Sequence, residues 1–142
     1  MSEIFFFNEG CEFPDFFSKE RVTQWLQLVA EDYALKLGSI SFIFCDDEYI
    51  LDVNRKYLNH DYYTDVITFD YREGKVLSGD VFISLDTVQS NALEFGTTYE
   101  EELHRVIVHS VLHLIGFKDK SDEDAKEMRS NENHCLELLK TL

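Results

Sequence analysis

His109 and His113 are four residues apart in the stretch His109-Ser110-Val111-Leu112-His113-Leu114-Ile115-Gly116-Phe117-Lys118-Asp119. On a helix this spacing puts both imidazoles on one face, one turn apart. Two nitrogens so placed can share a metal ion at roughly 2.0–2.1 Å each. Gly116 follows three residues later and can take the backbone conformation that ends a helix. A chain reversal there brings Asp119 over the same face. The product is a site of His109, His113 and Asp119 with a fourth position open, which is the ligand count of catalytic zinc sites. Two nitrogens and one oxygen suit one Zn²⁺ per chain, and they also fit Ni²⁺ or another divalent ion.

The plain alternative is a pair of ordinary helix histidines. The surroundings argue against it. Val106, Ile107, Val108, Val111, Leu112, Leu114 and Ile115 make the helix apolar almost all round. Such a helix is a buried central element, where an unpartnered histidine is costly. The glycine stands where a reversal needs it, and a third ligand follows at once.

The stretch resembles H-[GS]-x-L-H-L-x-G-[YF]-x-[HD], the signature of the YbeY family of rRNA-maturation endoribonucleases. Thr64-Asp65-Val66-Ile67-Thr68-Phe69 resembles the family's T-[DN]-V-L-S-F strand, and Gly79-Asp80-Val81-Phe82-Ile83 its G-D-[IV]-x-I strand. Asp122 to Met128 resembles its acidic final helix. The likeness runs from about Asp47 onward; before it, only the pattern agrees. The resemblance implies a zincin-like fold and a metal-dependent, single-strand-specific endoribonuclease. Its expected work is 16S rRNA 3′-end processing, with ribosome assembly and quality control. Its expected partners are rRNA and ribosomal particles, reached through a ribosomal or assembly protein.

A bound Zn²⁺ lowers the pKa of its water towards about 7 and polarises a phosphoryl oxygen. Phosphodiester cleavage needs both a nucleophile at neutral pH and charge neutralisation at phosphorus. His109 and His113 are therefore the expected catalytic residues, holding the metal with Asp119. The attacking group is the metal-bound water or a substrate 2′-hydroxyl. A metallopeptidase with this helix places a Glu beside the first histidine as general base; Ser110 occupies that position here, so the peptidase is the second reading. A metal-stabilised ribosome assembly factor that does not cut is the third. Many members of the family end the motif in His, and Asp119 lowers the site charge from plus two to plus one. Leu58 stands where many members carry an Arg that handles phosphate; Arg55, one helical turn earlier, is the candidate replacement for substrate binding.

Positioning these groups requires an ordered set of elements. Ile4 to Phe7 reads as a strand, and Asn8 to Phe17 as a loop. Ser18 caps a helix expected to run to about Leu37, with Gly38 as its stop. Ser39 to Cys45 is a strand with Ile40, Phe42 and Phe44 on one face. Asp46 or Asp47 caps a helix to about Leu58, and Asn59-His60-Asp61-Tyr62-Tyr63 is a loop. Thr64 to Tyr71 and Gly79 to Ser84 are strands joined through Arg72 to Lys75. Ser84 or Asp86 caps a helix ending at Phe95-Gly96. Thr97 or Thr98 caps the central helix, with Glu100 or Glu101 in the capping-box position. Ser121 opens a last helix to about Leu139, whose buried face is Ala125, Met128, Cys135, Leu138 and Leu139. This order predicts a single α+β domain over residues 1–142, a mixed sheet of about four strands packed on the buried central helix.

Other residues have weaker claims. His104 is off the His109/His113 face and reads as a solvated partner of Glu100 or Glu101; His134 reads as surface. His60 is a further candidate near the site, and Asp65 and Asp80 are candidates to orient histidines. Phe5 to Phe7 and Trp25 read as core rather than as base-stacking platforms.

The bulk numbers limit partners. At 142 residues and 44% hydrophobic content, one core is expected without staples. The net charge is −15, with 28 acids against 13 bases, so broad electrostatic grip on nucleic acid is excluded and RNA contact must be local. Glu100, Glu101 and Glu102, like Asp122, Glu123 and Asp124, read as acids favouring a helix N-terminus. Cys11, Cys45 and Cys135 are odd in number and scattered, which fits a reducing cytosol. No apolar run suits a signal sequence or a membrane span, so the expectation is a cytoplasmic protein without membrane contact.

Overall fold

The computed structural model describes residues 3–60 and 64–142. β1 (Glu3–Glu9) is followed by α1 (Lys19–Asp32), whose first turn is closed by the Arg21 N–H donating to Ser18 Oγ. β2 (Lys36–Cys45) leads into α2 (Asp47–Leu58), capped by Asp46. Then come β3 (Val66–Asp70), β4 (Val76–Ser84), α3 (Leu85–Phe95), α4 (Tyr99–Ile115) and α5 (Asp122–Lys140). Ser84, Thr98 and Ser121 cap the last three helices, each accepting from a backbone N–H three residues on. Element types and order are as expected. Of the loop expected at Asn59 to Tyr63, Asp61, Tyr62 and Tyr63 lie outside the described residues.

The strands form one sheet in the order β1-β2-β4-β3, with β1, β2 and β4 parallel and β3 antiparallel at one edge. This is the mixed four-stranded α+β arrangement expected. Alternation along β2 puts Ile40, Phe42 and Phe44 on one face, all fully buried. α4 lies on that face against β3 and β4. Its Leu103, Ile107, Val111, Leu112 and Leu114 join α1 and β2 in the main core. Each such side chain contributes about 1.5–3 kcal/mol when taken fully from water. α2 covers part of the opposite face, where Ile50 and Val53 pack with Cys45 and Ile67. The central helix that carries the histidines is thus packed against the sheet and its neighbouring helices.

Three expectations are corrected. α1 ends at Asp32 rather than Leu37, because Ala34 turns left-handed at φ 57° and Lys36 N–H is already donating to Lys75 O at 2.9 Å. Gly38 is therefore not a helix stop. It lies within β2, where a Cβ would come within 2.6 Å of the Val76 side chain and 2.8 Å of Leu77 O. Phe5 and Phe7 are 43% and 49% exposed, since among the described residues no element covers the outer face at β1; Phe6 packs inward and Trp25 is fully buried, as expected. On α5, Ala125 is exposed and Glu132 is buried in the helix face instead. All three cysteines are free. Among the described residues, no helix is long and apolar enough to cross a membrane.

Candidate metal centre

α4 carries both histidines at its C-terminal end, and their rings meet edge to face with centroids 4.6 Å apart. Gly116, at φ 125°, reverses the chain; its N–H donates to Leu112 O, as does that of Phe117. β-carbon-bearing residues rarely tolerate that φ. Arg72, in the β3–β4 connection, donates from Nη1 to Leu114 O and Ile115 O, at 3.3 and 2.6 Å. It thereby satisfies carbonyls that a helix end leaves without partners. The reversal places Asp119 Oδ2 3.3 Å from His109 Nε2 and 3.4 Å from His113 Nε2, while the two Nε2 atoms are 3.0 Å apart. Donors about 2.0–2.1 Å from one ion at tetrahedral angles lie roughly 3.3–3.4 Å from one another. The two edges to Asp119 match that spacing, and the edge between the two Nε2 atoms is shorter.

The hydrogen bonds behind the rings decide which atoms face the centre. His109 Nδ1 is 2.7 Å from Glu132 Oε2, and His113 Nδ1 is 3.0 Å from Phe117 O. Both partners are acceptors, so both Nδ1 atoms carry the ring proton and both neutral rings present Nε2 lone pairs. Two nitrogen lone pairs and a carboxylate oxygen then converge with no donor between them, an arrangement that calls for a cation. Burial works against a charged His109, but the hydrogen bond and charge of Glu132, then Asp119 and Asp65, outweigh it and raise its pKa above the usual histidine value. Glu132 is buried, which favours its neutral form, yet the hydrogen bonds from His109 and Arg105 hold its pKa below the usual carboxylate range. Arg105 Nη1 donates to Glu132 Oε1 at 3.0 Å.

The three converging groups open onto a cleft whose other wall is Thr64, Asp65, Val66, Thr68 and Asp70. Thr64 and Asp65 precede β3, which starts two residues later than expected and so leaves both free to face the cleft. Burial raises the pKa of Asp65, opposed by the charge of His109. Ser110, in the position of a peptidase's general base, is buried and donates to Ile107 O at 2.6 Å. It faces away from the cleft.

The chain matches the family described as Endoribonuclease YbeY over residues 5–140. It belongs to the YbeY family. A Parabacteroides distasonis protein named Endoribonuclease YbeY is 54% identical over 136 residues, covering 96% of this chain and 95% of its own. A Bacteroides thetaiotaomicron protein of the same name is 53% identical over 130 residues, covering 92% and 94%. The solution structure of a Thermotoga maritima protein aligns with a TM-score of 0.70 at 28% identity, over 96% of this chain and 88% of that one.

Within this YbeY fold, the three residues read from the motif come together; among the described residues they form the one cluster spaced to hold a metal. Sequence reasoning missed Glu132. Its signal was faint: a carboxylate four residues after Met128, on the buried stripe of an amphipathic helix. Asp65 lines the cleft, whereas Asp80 accepts from the Tyr71 hydroxyl at 3.4 Å on the sheet. Arg55 and His60 are exposed and are not among the described residues lining the cleft. His134 is on the surface, 2.7 Å from Asp32. His104 is not solvated: it is buried edge-on against Trp25 and Phe16, and burial, then Arg21, lowers its pKa against the opposing charge of Glu100.

Proposed function

We propose that this chain is a metal-dependent endoribonuclease of rRNA maturation, with His109, His113 and Asp119 as metal ligands. The observation that carries the reading is the convergence of three acceptor atoms at ligand spacing on an open cleft, in a chain whose relatives are named endoribonucleases. When bound, a divalent ion, Zn²⁺ being the best fit to the donor set, supplies Lewis-acid polarisation and a nucleophile at neutral pH. Glu132 and the Phe117 carbonyl keep the two histidines in the ligating tautomer. Ser110, where a peptidase of this kind carries its glutamate base, is buried and bonded to Ile107 O, which supports a nuclease over a peptidase.

The acidic chain, at net −15, favours weak binding to naked RNA and recruitment to ribosomal particles through a partner protein in the cytoplasm. The test is purified protein on single-stranded RNA, with and without chelator, alongside elemental analysis. Cleavage that depends on about one bound divalent ion per chain is expected. A metal-free, carefully prepared chain, or cleavage indifferent to chelator, would refute the reading. Metal without cleavage of RNA or ribosomal particles would favour an assembly factor.

A further inference from the structure

A second cleft lies behind His109. It shares Asp65 and His109 with the metal cleft, and its other walls include Asn91, Phe95, Glu102, Arg105, Arg129 and Glu132. The two clefts thus adjoin at the wall formed by Asp65 and His109.

Glu102 is the unexplained group. Its place in the first turn of α4 suits an acid favouring the helix dipole, but the residue is only 6% exposed and lines this cleft. Among the described residues its carboxylate makes no hydrogen bond or ion pair. Arg105 and Arg129 turn to Glu132 instead, at 3.0 and 3.7 Å. No side-chain oxygen that is wholly sealed from solvent lacks a partner, so the Glu102 oxygens reach the cleft itself. A nearly buried acceptor of this kind is matched by a ligand that brings N–H donors. A second metal ion is the weaker match, because these acids are not gathered at ligand spacing.

The rest of the wall narrows the ligand. Phe95 is 61% exposed beside the cleft, an aromatic ring available for stacking. The Arg129 side chain is also 61% exposed, a cation at the mouth. An aromatic face, a cation and a buried carboxylate together suit a nucleotide: ring on Phe95, phosphate towards Arg129, base edge towards Glu102. A carboxylate accepts best from two adjacent N–H donors. Guanine offers N1–H beside its 2-amino group. Adenine and cytosine put an acceptor at the middle of the pairing edge, and uracil flanks its single N–H with carbonyls.

We propose that the cleft behind His109 is a base pocket for a guanine of the single-stranded RNA substrate, adjoining the linkage that is cut. Phe95 stacks on the base, Glu102 accepts from N1–H and the 2-amino group, and Arg129 meets the neighbouring phosphate. The inference rests on the endoribonuclease reading, and binding measurements separate the two.

Short fluorescent oligoadenylates carrying a single central guanine, hypoxanthine or no replacement are titrated with the metal-loaded chain, and their cleavage positions are mapped. The guanine oligonucleotide should bind about tenfold more tightly than the all-adenine one, with hypoxanthine between them. Cuts should fall at one register from the guanine. Glu102→Gln should erase the ranking while keeping metal content, and Phe95→Ala, at an exposed position, should weaken binding of all three. Equal binding of the three by the wild-type chain, or a ranking unchanged in Glu102→Gln, overturns the base pocket. Guanine-selective binding without any cleavage upholds the pocket and refutes the endoribonuclease reading instead.

Discussion

Glu132 Oε2 on α5 lies 2.7 Å from His109 Nδ1 on α4, and this contact aims the opposite ring nitrogen at Asp119 and His113. A carboxylate behind a ligating histidine sets its tautomer and raises its basicity. Glu132→Gln keeps the shape but offers a neutral acceptor. It should reduce metal affinity roughly 10–100-fold, measured by competition with a chromophoric chelator. Glu132→Ala should lose more and also destabilise the fold, because the half-buried Arg105 would lose its partner. Metal affinity unchanged in Glu132→Gln would remove the contact from the site.

Asp119 is the proposed ligand least legible from sequence, since aspartate is common in turns ahead of a helix. In the structure its Oδ2 is nearly equidistant from the two Nε2 atoms, 3.3 and 3.4 Å, which a turn role does not require. Asp119→Asn should lower metal affinity by at least about tenfold, since the loss of a ligand exceeds the loss of an outer partner. Asp119→His should retain the metal and raise the site charge from plus one to plus two. The activity profile of that variant should move to lower pH. An Asp119→Asn chain that binds metal like the wild type would show the third ligand to be elsewhere.

Arg72 ties the β3–β4 connection to the end of α4, donating to Leu114 O and Ile115 O while its Nε donates to Gly74 O at 2.7 Å. Arg72→Ala should destabilise the fold by about 1.5–3 kcal/mol, the range for hydrogen bonds from a charged group. The loss should appear as a lower urea midpoint with an unchanged slope. Arg72→Lys should recover only part of it, because an ammonium cannot reproduce the planar fork. A midpoint within error of the wild type would mean that these bonds exchange for water without loss.

His104 predicts a pH dependence of stability. Its pKa is lowered in the folded chain, by burial first and then Arg21, with Glu100 opposing. The unfolded chain therefore binds the proton more readily, and stability rises with pH across the window. The contribution is fully present above the unfolded value of about 6.5 and is lost as pH falls from there towards the lower folded-state pKa. Replacing His104 with Leu should remove this acid-side loss, so the melting temperatures of variant and wild type should converge or cross below about pH 6.5. Parallel curves from neutral to acid pH would exclude the residue as a source.

Local features of this chain were legible because they depend on neighbours in sequence. Ser18, Asp46, Thr98 and Ser121 cap helices through bonds three residues long, and the i, i+4 spacing of His109 and His113 determines their common face. Gly116 and Asp119 follow within six residues, too few for the third ligand to stray far. Tertiary structure decided what depends on docking. Glu132 reaches His109 across 23 residues and two helices, so only the packing of α5 on α4 reveals it. Glu102 and His104 belong to a helix end that looked solvent-facing, but α4 is enclosed on several sides and both are buried. α1 ends early because the chain from Lys36 pairs beside β4, a contact some forty residues away that outweighs local helix periodicity. Phe5 and Phe7 remain exposed because hydrophobicity alone does not say which sheet face receives a helix, and α2 covers only the far side of that face.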